Sequence, residues 1–331
     1  RKICIGRSRI AVLSEDHGTR AGYNFANLEF FKSPIPAIYT PTYTLSEMIE
    51  KDEILYKSGY LVEKYREEKE KVVIFAKNIK SNQIERFEGK KLILAAGTLN
   101  TTKIVLVSNN DYESKLPILD NPVSFVPFLN IGMLGAPIDK TSYSGGQMNI
   151  IYHGDMFEEP IFAAVYSLTG PLRSEFILNF PLSILGNQAA LKYVLPAILM
   201  TQIFYPDNPK PENFIKIEPS GELRIKYTQK TFGKLEKYLI SSFRKIGFYG
   251  SLRWCQYPLP GNSIHYAGTI PMRAIPEKKY ETNSCGLLNG SKHIYIADPS
   301  TFPTLTSKHL SFTNMANAMR VAQSALINLC S

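Results

Sequence analysis

The stretch His293-Ile-Tyr-Ile-Ala-Asp298-Pro299-Ser-Thr-Phe302-Pro303-Thr-Leu-Thr-Ser-Lys-His309-Leu310-Ser-Phe-Thr-Asn-Met-Ala-Asn-Ala-Met-Arg320 limits the folds open to this chain more than any other. It reads as a short strand over residues 293–297, an acidic turn, a loop stiffened by proline, a histidine and then a helix. Phe312, Met315, Ala316, Met319, Val321, Ala325 and Leu326 give that helix a mostly apolar face, and Ser311 or Thr313 is suited to cap it. A helix start presents free N–H groups and partial positive charge, which favours an anionic group or an electron-rich ring lying against it.

A second strand-turn-helix unit lies upstream. Residues 91–94 form a short β run ending in Ala95-Ala96-Gly97, and residues 98–108 carry Leu99, Ile104, Val105 and Val107 at helical spacing. Short β runs at 54–62 and 72–77 precede it, separated by charged turns, and predict a meander. Between 120 and 260 the pattern predicts strands at 146–152, 161–167, 198–205, 214–218 and 223–227. A helix is expected over 231–246, stopped by Gly247. Residues 1–50, rich in Pro, Gly and aromatics, read as extended connections.

The chain has 331 residues, enough for one large or two interleaved domains, and a formal net charge of +9. That charge raises nucleic acid or an acidic membrane as partners, but the densest charged stretch, Glu63 to Lys71, mixes Lys and Arg with Glu. A solvated face fits it better than a stripe tracking phosphates. The most apolar stretch, Phe176 to Tyr205, is broken by Asn187, Gln188, Lys192, Pro181 and Pro196, so it predicts a buried helix followed by a strand and no membrane span. The four cysteines are scattered, without the close pairs of metal or redox sites, so a reducing, cytoplasmic setting is the simpler expectation. The first residue is Arg1, and the natural start is expected to lie upstream.

The 293–320 stretch resembles the carboxy-terminal signature of the glucose-methanol-choline (GMC) type oxidoreductases. The run His265-Tyr-Ala-Gly268-Thr269-Ile-Pro-Met272 resembles that family's other terminal motif, and Lys91 to Ser108 its middle motif, all three in the family's order. The resemblance implies FAD as cofactor, with Asp298 and Pro299 near its ribityl-pyrophosphate. Leu310 would offer backbone to the flavin edge, Gly97 would let the chain approach the cofactor closely, and the backbone around Val62 would meet the adenine. Taken alone, Val62 reads as a meander core residue. It further implies that His265 and His309 form a catalytic pair, one taking a substrate hydroxyl proton while hydride leaves for flavin N5.

Plainer readings stand beside these. Asp298 in an Ala-Asp-Pro-Ser turn often caps its own loop, and the Ala-Ala-Gly turn is by itself ordinary. His17, His153 and His293 read as surface or structural groups. The loop at residues 20–39 resembles one that is cysteine-rich in some bacterial relatives, yet it holds no cysteine, so no metal cluster is expected there.

No Gly-x-Gly-x-x-Gly follows a strand anywhere in the sequence. The expected fold is therefore α/β: an incomplete Rossmann-like FAD-binding domain from residues 1–119 and 261–331, with an inserted α+β substrate domain, 120–260, built on a mainly antiparallel sheet. The missing βαβ unit would come from an upstream segment or another subunit. The expected function is FAD-dependent oxidation of a small-molecule alcohol, related to sugars or polysaccharides. The alternatives are a non-catalytic or truncated member of the same fold acting as a binding subunit, and a basic anion-binding protein.

Overall fold

The structure, a computed structural model, describes residues 2–8, 11–23, 37–137, 146, 148–167, 183–228 and 232–327. In chain order the strands are β1 (Ile3–Arg7), β2 (Tyr60–Glu67), β3 (Val72–Asn78), β4 (Ile84–Gly89), β5 (Leu92–Leu94), β6 (Leu116–Pro117), β7 (Val123–Leu129), β8 (Met148–Tyr152), β9 (Ile161–Ser167), β10 (Ile198–Phe204), β11 (Phe214–Ile217), β12 (Leu223–Lys226) and β13 (Ile294–Ile296). Helices span Pro41–Glu50, Thr98–Ser108, Ile184–Val194, Lys234–Arg244 and Ser311–Ile327. The mixture is α/β, and its sheets are mostly antiparallel.

Two compact units divide the chain. One comprises residues 1–56, 123–204 and 231–258, the other 57–122, 205–230 and 259–331. Residues 1–56 pack with the 123–204 segment, and residues 205–230 pack with the motif-bearing segments.

The first unit is a five-stranded antiparallel sheet in the order β1-β8-β9-β10-β7. Its alternation of buried and partly exposed positions is clearest in β7, where Val123, Ser124, Val126 and Phe128 are buried. Residues 1–50 contain a strand and a helix where connections were expected. β1 is almost wholly exposed and is held by its backbone ladder to β8, so it carries no hydrophobic alternation to read. Of the apolar stretch 176–205, the first residues lie outside those described. The helix Ile184–Val194 buries only Asn187 and Leu191 and leaves Leu185 exposed, so it is a surface helix and not a buried one. The helix Lys234–Arg244 starts later than its periodicity suggests because the Glu236 carboxylate accepts the Gly233 N–H (2.7 Å) and caps the chain there.

The second unit holds the antiparallel meander β2-β3-β4, the small sheet β12-β11-β6 and a parallel pair, β5 with β13. The expected run at 54–62 corresponds to β2, which begins only at Tyr60. Leu94, Ile104, Val105, Leu106, Ile215, Ile217, Ile294 and Ile296 form one buried core. Full burial of a side chain such as Leu106 contributes about 1.5–3 kcal/mol. The parallel pair places the ends of both strands, Leu94 and Ile296, side by side, so the turns that follow them meet. In the closing helix only Val321 and Ala325 of the expected apolar face are buried; Phe312, Met315, Met319 and Leu326 are exposed. Cys4 and Cys255 are free thiols and Cys285 is disulfide-bonded, a pairing that scattered spacing did not suggest because sequence separation does not set distance in space. Among the described residues no helix is long and apolar enough to cross a membrane.

Candidate functional site

All the motif residues lie in the second unit. Asp298 follows β13 and caps a single 3₁₀ turn, Pro299–Thr301. Its Oδ1 accepts the N–H (3.0 Å) and hydroxyl of Ser300, while its Oδ2 accepts the Gly97 N–H (3.0 Å) and the Thr101 hydroxyl. Four donors fill the accepting capacity of a buried carboxylate. Asp298 thereby clamps the turn after one parallel strand to the helix start after the other.

Gly97 stands at φ 81, ψ 153, a conformation open essentially only to glycine. A Cβ built on it meets no atom within 4 Å among the described residues, so the chain here faces open space beside the start of the helix Thr98–Ser108. Gly97→Ala is expected to destabilise the protein by about 1–3 kcal/mol through backbone strain alone. Urea unfolding of both forms measures it, and an unchanged midpoint would show that the turn relaxes freely.

The His265 motif is laid against this clamp by backbone bonds. Gly268, Ile270 and Met272 donate to the carbonyls of Pro299, Ser300 and Thr301 at 3.1, 2.9 and 2.7 Å. Thr98 Oγ1 donates to the Tyr266 carbonyl at 2.7 Å, and Ala267 exchanges both backbone bonds with Leu119. Asp120 holds the loop ahead of the histidine: it accepts the Gly261 N–H (2.7 Å) and the Ser263 hydroxyl, and Ser263 Oγ in turn accepts the His265 N–H (3.0 Å). Between them Ile264 sits at φ 62 with its side chain exposed, a strained setting for a β-branched residue.

His309 comes from the loop that precedes the closing helix. Leu305 exchanges backbone bonds of 2.8 and 2.9 Å with Asp207, and packs with Phe302, Leu119 and Ala267, which anchors that loop beside the His265 motif. The two imidazoles meet edge to face, ring centroids 5.4 Å apart and planes at 85°. His265 Nδ1 lies 3.0 Å from Asn121 Oδ1.

Burial, and secondarily the charge His309 would carry, lowers the His265 pKa from its ordinary 6.5 to about 4. Burial lowers the His309 pKa as well. The His265 imidazole is neutral at pH 7. Because the folded state binds the His265 proton less readily than the unfolded chain, stability is full above pH 6.5 and falls as pH drops from 6.5 towards 4. We expect the urea midpoint to fall across that window and the fall to be shallower in His265→Gln.

The remaining motif residues are placed as follows. Pro299 opens the 3₁₀ turn and its carbonyl receives Gly268. Leu310 packs on Leu119, Ala267, Phe302 and Leu305, and its carbonyl accepts the Asn314 N–H at 2.8 Å. Val62 packs against the main core of its unit at a β-bulge between Val62 and Lys64, a structural setting. His293 is held by Glu67 and the Lys69 carbonyl. The loop at 20–39 falls largely outside the described residues. A cleft of about 310 Å³ lies beside the His265 loop, lined by Leu99, Asp120, Tyr227, Gly261 and Tyr266 among others.

Three contributors have no motif to announce them. Asp120, Asn121 and Asp207 lie up to 185 residues from their partners in the chain. Asp207 Oδ2 accepts the Tyr227 hydroxyl (2.7 Å) and the Asp120 N–H (3.3 Å), so the loop grip rests on a buried polar layer. Burial, with Asp207 close by, raises the Asp120 pKa.

No protein-family model and no curated protein matches the sequence. In fold the chain is similar to the crystal structure of pyridoxine 4-oxidase from Mesorbium loti, with a TM-score of 0.54 and 13% identity. The likeness covers 80% of this chain and 57% of that one. It is a likeness of mixed α/β architecture to that of an oxidase, and this chain spans little more than half of its length.

Proposed function

We propose that the chain is the flavin- and substrate-side portion of a GMC-type oxidoreductase that oxidises a CH–OH group, with a sugar- or polysaccharide-related alcohol as its substrate. The observation that supports this best is the meeting of two imidazoles, ring centroids 5.4 Å apart, in the unit that also holds a glycine turn facing open space. Gly97 and the helix start after it fit a flat ring that must approach the backbone. Bound FAD would supply the hydride acceptor. A neutral His265 or His309 takes the hydroxyl proton as the carbonyl forms, and the other imidazole orients that oxygen. Asp298 serves by positioning Gly97, its oxygens being engaged by protein donors. The cofactor side falls to the unit that carries all three motifs, and binding of the alcohol to the 120–260 segment belongs to the same proposal.

Because no Gly-x-Gly-x-x-Gly turn is present to hold a pyrophosphate on a helix start, we expect the 331-residue chain to bind FAD weakly or not at all. Absorbance after purification and dialysis tests this, and a stoichiometric, tightly bound flavin would overturn it. Activity is tested by anaerobic bleaching of added, saturating FAD with a panel of sugar alcohols. A chain that neither binds flavin at saturation nor bleaches it favours the second reading, a non-catalytic member of the fold, for which the same missing turn speaks.

A further inference from the structure

Asn121 sits just before Pro122, which biases it to extended backbone, and the Pro122 carbonyl is held by the Tyr205 N–H at 2.9 Å. The Asn121 side chain is fully buried. Its Nδ2 donates to two backbone carbonyls, Tyr205 at 2.8 Å and Thr306 at 3.0 Å. A carbonyl oxygen can only accept, so these two bonds decide which end of the amide is nitrogen. The other end, Oδ1, must therefore face His265 Nδ1, 3.0 Å away.

An amide oxygen cannot donate, so the hydrogen bond forms only if His265 carries its proton on Nδ1. The neutral ring then has its lone pair on Nε2. We propose that Asn121 is a positioning residue that fixes His265 as the Nδ1–H tautomer and so makes Nε2 the atom able to take a proton. Thr306 belongs to the loop that delivers His309, so the same amide also ties that loop to the His265 ring. His265 stays neutral at pH 7 by burial, which lets the tautomer, and not the charge, carry the selection. The consequence for catalysis rests on the proposed base role; the tautomer itself needs no flavin.

The test is ¹⁵N NMR of the histidine-labelled 331-residue chain at pH 7, with His265 assigned by its loss in His265→Gln. The expected spectrum has a protonated Nδ1 and an unprotonated Nε2, with the Nδ1–H proton showing an NOE to the Asn121 amide protons. An Nε2–H tautomer, an imidazolium, or the absence of that NOE overturns the proposal, and each is read on the unsubstituted chain, the variant serving only for assignment. In Asn121→Ala the tautomer preference should collapse to a mixture; retention of pure Nδ1–H would mean that another group sets it. Failure of flavin bleaching leaves all these readings intact, so the two proposals fail separately.

Discussion

Replacing His265 or His309 with alanine in the flavin-loaded protein is expected to lower kcat by about 10²- to 10⁴-fold, the contribution of a positioned proton acceptor. The effect should appear in kcat and kcat/KM together, because the lost interaction is made only as the proton moves. Flavin content should change little, since neither ring belongs to the clamp that shapes Gly97. His309→Asn should be milder than His309→Ala, because an amide still holds the substrate oxygen while giving up the base. The wild-type rate should rise with pH as the pair loses its proton and then level off. Its apparent pKa belongs to the pair and not to one ring, given their approach of 5.4 Å. If both alanine variants turn over at near wild-type rates, the pair is structural and the proposed chemistry lies elsewhere.

Asp298→Asn is expected to destabilise the protein by about 2–4 kcal/mol, since burying a donor without an acceptor costs about 1–3 kcal/mol and more than one is affected. The substitution is isosteric, which makes the result informative. The two backbone N–H groups reach different oxygens, Ser300 on Oδ1 and Gly97 on Oδ2. Whichever way an asparagine amide is turned, its NH₂ faces a backbone N–H and also a hydroxyl that now donates to it. Only the hydroxyls can rotate to adapt. Thermal or urea unfolding gives the magnitude, and a variant as stable as wild type would mean that the clamp is not formed as described.

This second case separates what each level of description carries. The strand, acidic turn and helix around Asp298 were legible from residue order, because proline, aspartate and apolar spacing act within a few residues of one another. So were the strand-to-helix turn at Gly97 and the cores of most strands, where burial on one face leaves a periodic mark. β1 and the helix Pro41–Glu50 left none. The first is exposed along its length and the second buries no residue, so neither needed an apolar face. The closing helix misled in the opposite sense, since Phe312, Met315 and Met319 are apolar at helical spacing yet exposed.

Residue order by itself determined where each local unit begins, which histidines fall on motif positions, and that a pyrophosphate-binding glycine turn is lacking. Only the tertiary structure decided that Asp298 spends its oxygens on Gly97 and Ser300, and that His265 and His309 meet. It alone brought Asn121 to the ring and Asp120 to the loop. The reason is physical: hydrogen bonds and ring contacts reach a few ångströms in space, and these partners are separated by 44 residues (309 against 265), 144 (265 against 121) and 201 (298 against 97) along the chain. Across such separations no spacing rule operates, and the partners are chosen by the parallel pairing of β5 with β13 and by the backbone bonds that lay the His265 motif along Pro299–Thr301.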